Sequence, residues 1–111
     1  MNLEKILKKA PQDIRDKFSN AISLFSKAKQ FTQKNKWNDA LIYARYAKED
    51  VDNVATDLAK AFGGAEKVPK EIRMSLLNLI KDIEKLKDFS MTKIVKETEK
   101  KIEEIKKKHK I

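Results

Sequence analysis

The chain has 111 residues, with 26 Lys and Arg against 17 Asp and Glu, two Gly, two Pro and no Cys. That length fits one small domain, and 41% hydrophobic residues supply a core, which argues against whole-chain disorder. The absence of Cys excludes disulfides, thiol catalysis, iron–sulfur clusters and thiolate zinc sites, and points to an intracellular, cytoplasmic protein. The longest unbroken apolar run, Ala40 to Ala44, is far short of the roughly 20 residues a membrane-spanning helix needs. Lys5, Lys8 and Lys9 interrupt any secretory apolar region after Met1, so no leader is expected. No membrane partner is expected, because the last apolar seam lacks Trp and Phe anchors and includes Thr98 and His109.

Few turn residues and apolar spacing of three and four almost throughout predict an all-α fold, a compact four- or five-helix bundle forming one domain over residues 1–111. Asn2 caps a short first helix carrying Leu3, Ile6, Leu7 and Ala10. Pro11 suits the first position of a second helix, with the stripe Ile14, Phe18, Ala21, Ile22, Phe25, Ala28 and Phe31. Asn35 is the expected left-handed residue that ends it. A third helix starts near Trp37 and runs to Phe62, with spaced alanines for close packing and Trp37 and Phe62 plugging its ends. Gly63-Gly64 is the clearest stop in the chain. Pro69 opens a fourth helix bearing Ile72, Leu76, Leu77, Leu79, Ile80, Ile83 and Leu86. The expected core includes Phe18, Phe25, Ala44, Val51, Leu58, Leu76, Ile80 and Ile83.

The last stretch is different in kind. Met91, Val95, Thr98, Ile102, Ile105 and His109 alternate by four and three, a narrow heptad-like seam rather than a broad core face. Two readings stand here: Ser90 or Thr92 caps a new helix, or the fourth helix runs on. Glu97–Lys101, Glu103–Lys107 and Glu104–Lys108 are favourable i,i+4 pairs on the outer face. The lysine-rich end, residues 106–111, is expected to fray. Val95, Ile102 and Ile105 are candidates for pairing with a partner helix or with a second copy in a homodimer.

Charge is unevenly distributed. Residues 1–36 carry a net +6, residues 37–66 a net −3, residues 67–89 a net +2 and residues 90–111 a net +4. Only Arg15, Arg45 and Arg73 are arginines against 23 lysines, which suits unspecific phosphate attraction rather than base reading in a groove. Lys and Glu enrichment of this kind is also a thermophile-like composition. Lys5, Lys8, Lys9, Lys27, Lys34, Lys36, Lys106, Lys107 and Lys108 are the candidate nucleic-acid contacts. Trp37, between Lys34-Asn35-Lys36 and Asn38, either stacks a base or folds over the bundle end onto Phe31 or Leu41. Its helical spacing with Leu41 and Ala44 favours the second.

His109, the only histidine, stands among lysines, so no His–carboxylate metal site or Ser-His-Asp triad assembles around it. Glu49, Asp50, Asp52 and Asp57 read as a solvated or lysine-facing surface, since no calcium-loop spacing accompanies them. No catalytic residue, metal or cofactor is predicted.

Residues 21–62, with Ala28, Lys36-Trp37-Asn38-Asp39-Ala40, Ala44, Ala47-Lys48-Glu49 and Val51, resemble the central hairpin of HEPN-type helical bundles. There, an aromatic and an alanine after the turn precede spaced alanines leading to Ala-x-Glu or Ala-Glu, the place that Ala47-Lys48-Glu49 fills here. Catalytic members are ribonucleases with an Arg followed four to six residues later by His. None of Arg15, Arg45 or Arg73 has that His, so the activity does not carry over. The resemblance then implies the role of non-catalytic relatives, partners or substrate-binding subunits beside nucleotide-handling proteins. The sequence therefore predicts a non-catalytic basic accessory protein that binds nucleic acid or a nucleoprotein complex without sequence choice. The alternative is a protein–protein interaction module with no direct nucleic-acid contact.

Overall fold

The structure is a computed structural model that describes residues 10–109. Lys5, Lys8, Lys9 and the helix expected before Pro11, apart from Ala10, lie outside the described residues. The described chain is all-helical: α1 (Gln12–Gln33), α2 (Trp37–Phe62), a 3₁₀ turn (Ala65–Lys67) and α3 (Lys70–His109).

Each boundary follows from local chemistry. Pro11 precedes α1 with φ −53° and ψ 150°, and its carbonyl accepts bonds from the N–H groups of Ile14 and Arg15. At the far end Asn35 takes φ 59°, and the two crossing bonds of a Schellman turn form, Lys36 N–H to Phe31 O at 2.9 Å and Asn35 N–H to Thr32 O at 3.1 Å. Helix α2 stops where Gly63 takes φ 84°, with Gly64 N–H reaching Ala59 O at 2.8 Å. Pro69 precedes α3 and supplies the carbonyl that receives Arg73 N–H.

Helices α1 and α2 pack antiparallel along most of their length. Ala21 and Ala28 of α1 and Ala40, Ala44 and Ala47 of α2 are completely buried, so the two backbones approach closely. Phe18 and Phe25 fill the space between these small residues, while Val51, Val54 and Leu58 of α2 carry the core toward α3. From α3 come Ile72, Leu76 and Ile83, with Ile80 only partly buried against the same cluster. Burial of each such side chain stabilises the fold by roughly 1.5–3 kcal/mol. Some stripe residues fall on the rim instead: Ile22, Phe62 and Leu77 are exposed, so Phe62 is no plug.

Ion pairs tie the helices together at their edges. Lys17 of α1 meets Asp57 of α2 at 2.7 Å, and Asn20 Nδ2 donates to Asp50 at 2.6 Å. Glu84 of α3 accepts from Lys48 of α2 at 3.3 Å and from Lys87 at 3.5 Å. Two of the carboxylates on the acidic α2 are thus spent on α1. Asp57 holds the Lys17 ammonium above its usual range through their hydrogen bond and charge attraction. For Glu84, burial raises the carboxyl pKa, but the Lys48 hydrogen bond and the charges of Lys87 and Lys48 outweigh it, and the net direction is down.

Two expectations need correction. The described residues form three α-helices, not four or five: nothing interrupts the chain between residues 70 and 109, and the helix expected before Pro11 lies outside them. Ser90 caps no new helix; it lies inside α3, fully buried, and Thr92 and Thr98 bond back to the carbonyls of Asp88 and Ile94. Such i−4 bonds satisfy hydroxyls within a continuous helix. Nor is the molecule compact. It measures 63 × 24 × 21 Å with a radius of gyration of 18.3 Å, where a packed domain of this size has about 13 Å. The long dimension is α3, since 40 residues at 1.5 Å rise span about 60 Å.

Candidate functional site

Helix α3 has two halves. The first runs antiparallel to α2 and supplies Ile72, Leu76 and Ile83 to the core. The packed half ends at the level of Trp37, whose ring meets Phe89 edge-on with centroids 5.5 Å apart. Beyond it the helix continues past the α1–α2 turn as a free arm. Every described residue from Val95 to His109 is exposed, a length of about 22 Å.

The arm carries the heptad seam in the open. Met91 is 43% exposed, Val95 48%, Ile102 47% and Ile105 54%, on one line down the helix. Charges cover the other faces, with Glu97, Glu99, Glu103 and Glu104 against seven lysines between Lys93 and Lys108. An isolated helix so furnished is soluble and keeps an apolar line for a second helix.

The candidate cations divide into three places. Lys34 and Lys36 flank the α1–α2 turn at the root of the arm, both exposed. Lys27 lies further back on α1, its ammonium 5.7 Å from the ring centre of Tyr43. Lys106, Lys107 and Lys108 are helical and sit at the arm's far end, about 25 Å beyond Phe89 along the axis. They do not form one compact patch with Lys34 and Lys36.

Trp37 folds onto the bundle end, but against Phe89 of α3 rather than Phe31 or Leu41; Phe31 stacks on Tyr43 instead, at 5.2 Å and 25°. Lys93, which the sequence reading passed over, places its ammonium 5.7 Å from the Trp37 ring and 5.4 Å from Phe89. With the Lys93 cation over its ring, the indole has less open face for a base than a free tryptophan. Phe89 and Lys93 were detectable only as i,i+4 neighbours on a helix whose continuation past residue 89 was undecided.

No family model, curated protein or solved structure matches this chain. The site therefore rests on its own geometry. Among the described residues no group of three or more His, Asp or Glu is placed to hold a metal ion. No described helix is long and apolar enough to cross a membrane. One further concavity, a cavity of about 220 Å³ between the end of α2 and the start of α3, is lined by apolar residues such as Ala55, Leu58, Val68 and Leu76, with Arg73 its one charged residue. It offers no pair of groups for acid–base or nucleophilic chemistry.

Proposed function

We propose that this chain is a non-catalytic accessory module that docks a partner helix along the free arm of α3. One observation carries the reading: Val95, Ile102 and Ile105 stand about half exposed at heptad spacing on a helix that has left its own bundle. A helix face that stays apolar where its own fold provides no cover is the common form of a helix-docking surface. A photo-crosslinking side chain placed at Ile102 in cells tests it, with Lys100 on the outer face as the control position. A discrete, stoichiometric product at Ile102 and none at Lys100 is expected. Equal, diffuse labelling at both positions overturns the reading.

A second reading is supported by the cations at the root of the arm. Lys93 stands over the Trp37 ring while Lys36 directly precedes Trp37 in the chain, which brings together lysines almost 60 residues apart in sequence, and Lys106 to Lys108 extend the positive charge outward. Such an arrangement attracts the backbone of DNA or RNA without base selection. As a HEPN-like partner subunit the chain would combine both properties, with lysines at the root and along the arm for phosphate and the apolar seam for the partner.

A further inference from the structure

We infer that the helix fitting the arm is an acidic amphipathic helix of a different protein, rather than a second copy of this chain. The inference rests on the docking reading and adds the partner's chemistry to it. In heptad terms Val95, Ile102 and His109 occupy position a, and Met91, Thr98 and Ile105 position d. The flanking positions, which meet the partner's side chains, are Thr92, Glu99 and Lys106 at e, and Ile94, Lys101 and Lys108 at g. Toward the end of the arm, three of these four charges are positive.

Self-pairing meets this charge head-on. In a parallel pair, Lys101 of each copy faces Lys106 of the other. The antiparallel register that matches every layer sets Val95 against Ile105 and Thr98 against Ile102. It also brings Lys101 against Lys101 and Glu99 against Glu99 across the twofold axis. A slip of one heptad outward pairs Glu99 with Lys106 but places Lys101 on Lys108 and sets Thr98 against His109. A slip inward sets Ile105 over Asp88 and brings Lys106 to Lys85 and Lys108 to Lys87. A helix with Leu or Ile in its seam and Glu at its flanks meets Lys101, Lys106 and Lys108 with opposite charge and loses no layer. Nucleic acid would satisfy the lysines and leave Val95, Ile102 and Ile105 exposed.

The test uses the whole chain and three labelled synthetic helices of equal length, titrated by fluorescence anisotropy at low and high salt. One has an apolar seam with Glu at e and g, one the same seam with Lys at e and g, and one Glu flanks with Ser in the seam. Binding of the first at least tenfold tighter than either other peptide is expected, with the margin over the Lys peptide shrinking at high salt. Ile102→Lys should abolish it while circular dichroism shows helicity kept. The triple charge swap Lys101→Glu, Lys106→Glu and Lys108→Glu, which leaves the seam intact, should reverse the preference toward the Lys peptide. Equal binding of both apolar-seam peptides overturns the charge selection and leaves docking standing. Equal binding of the Ser-seam peptide, or no binding by any, overturns both. A wild-type dimer in sedimentation that Ile102→Lys dissolves makes the occupant a second copy and also overturns the inference.

Discussion

Ser90 is the residue whose environment fits its chemistry least. Its side chain is completely buried in α3 and its hydroxyl oxygen has no hydrogen-bond partner among the described residues. An unpartnered buried hydroxyl carries its full desolvation penalty, and alanine is the better helix former. Ser90→Ala should therefore stabilise the protein by about 1 kcal/mol, read as a raised urea midpoint at unchanged slope. Phe25 gives the opposite case. It sits 7% exposed between the buried alanines of α1 and α2, and Phe25→Ala should cost about 3–5 kcal/mol in the same measurement. A loss within error would mean that the α1 stripe does not hold the core. Both residues illustrate what could be read beforehand. The burial of Phe25 follows from helical spacing alone, whereas Ser90 reads equally as a cap and as an interior residue. Only contact with the rest of the fold separates those two roles. Trp37 belongs with Ser90: its spacing placed it on the bundle, but its partner, Phe89, is 52 residues away and invisible to any local pattern.

At the scale of elements, the helix ends carry the clearest signals. Asn35 and Gly63 both adopt left-handed backbone, as their positions after long apolar stripes predict. An L-residue with a Cβ is disfavoured there by roughly 1–2 kcal/mol, so Gly63→Ala should lower stability by about that amount, and the loss should appear in thermal melts. The ion pairs between helices give stability a pH dependence with a defined sign at each limb. Glu84 has a lowered pKa, so its contribution is complete above the unfolded value of about 4.3 and disappears as pH falls through the folded value. Lys17 has a raised pKa, so its contribution is complete below about 10.4 and is lost as pH rises through the folded value. Chemical denaturation across pH should show Glu84→Gln flattening the acid limb only, and Asp57→Asn flattening the alkaline limb. Both pairs are exposed, and the changes should be small. The limit of α2 at Phe62 was legible because Gly-Gly follows it. The extent of α3 was not, because its i,i+4 pairs and threonines support helix without stating whether a break precedes them.

At the scale of the whole molecule, charge and shape are separable by experiment. If the lysines at the root of the arm attract nucleic acid, unrelated DNA and RNA sequences should bind alike, and affinity should fall steeply from low to physiological salt. Lys34→Gln with Lys36→Gln should weaken binding and reduce the salt slope by roughly two counterions' worth. No binding at low salt removes the nucleic-acid reading and leaves the arm as the working surface. The all-α class was evident from composition and period. The elongated outline was not, since a seam of alternate fours and threes describes a docked helix and a projecting one equally well.

The unbroken passage of α3 from bundle to arm also has a kinetic and entropic consequence. Starting a helix in water is the unfavourable step, and a segment of 15 to 20 polar residues forms one only marginally alone. Here the packed half of α3 is the nucleus, and residues 95–109 need only propagate from it. A peptide of residues 91–109 should accordingly show little helical circular dichroism, while the same residues in the whole protein are ordered before any partner arrives. Ordering a free backbone costs about 1–2 kcal/mol per residue, so an arm already ordered by the bundle does not set that loss of its own against the docking of a partner.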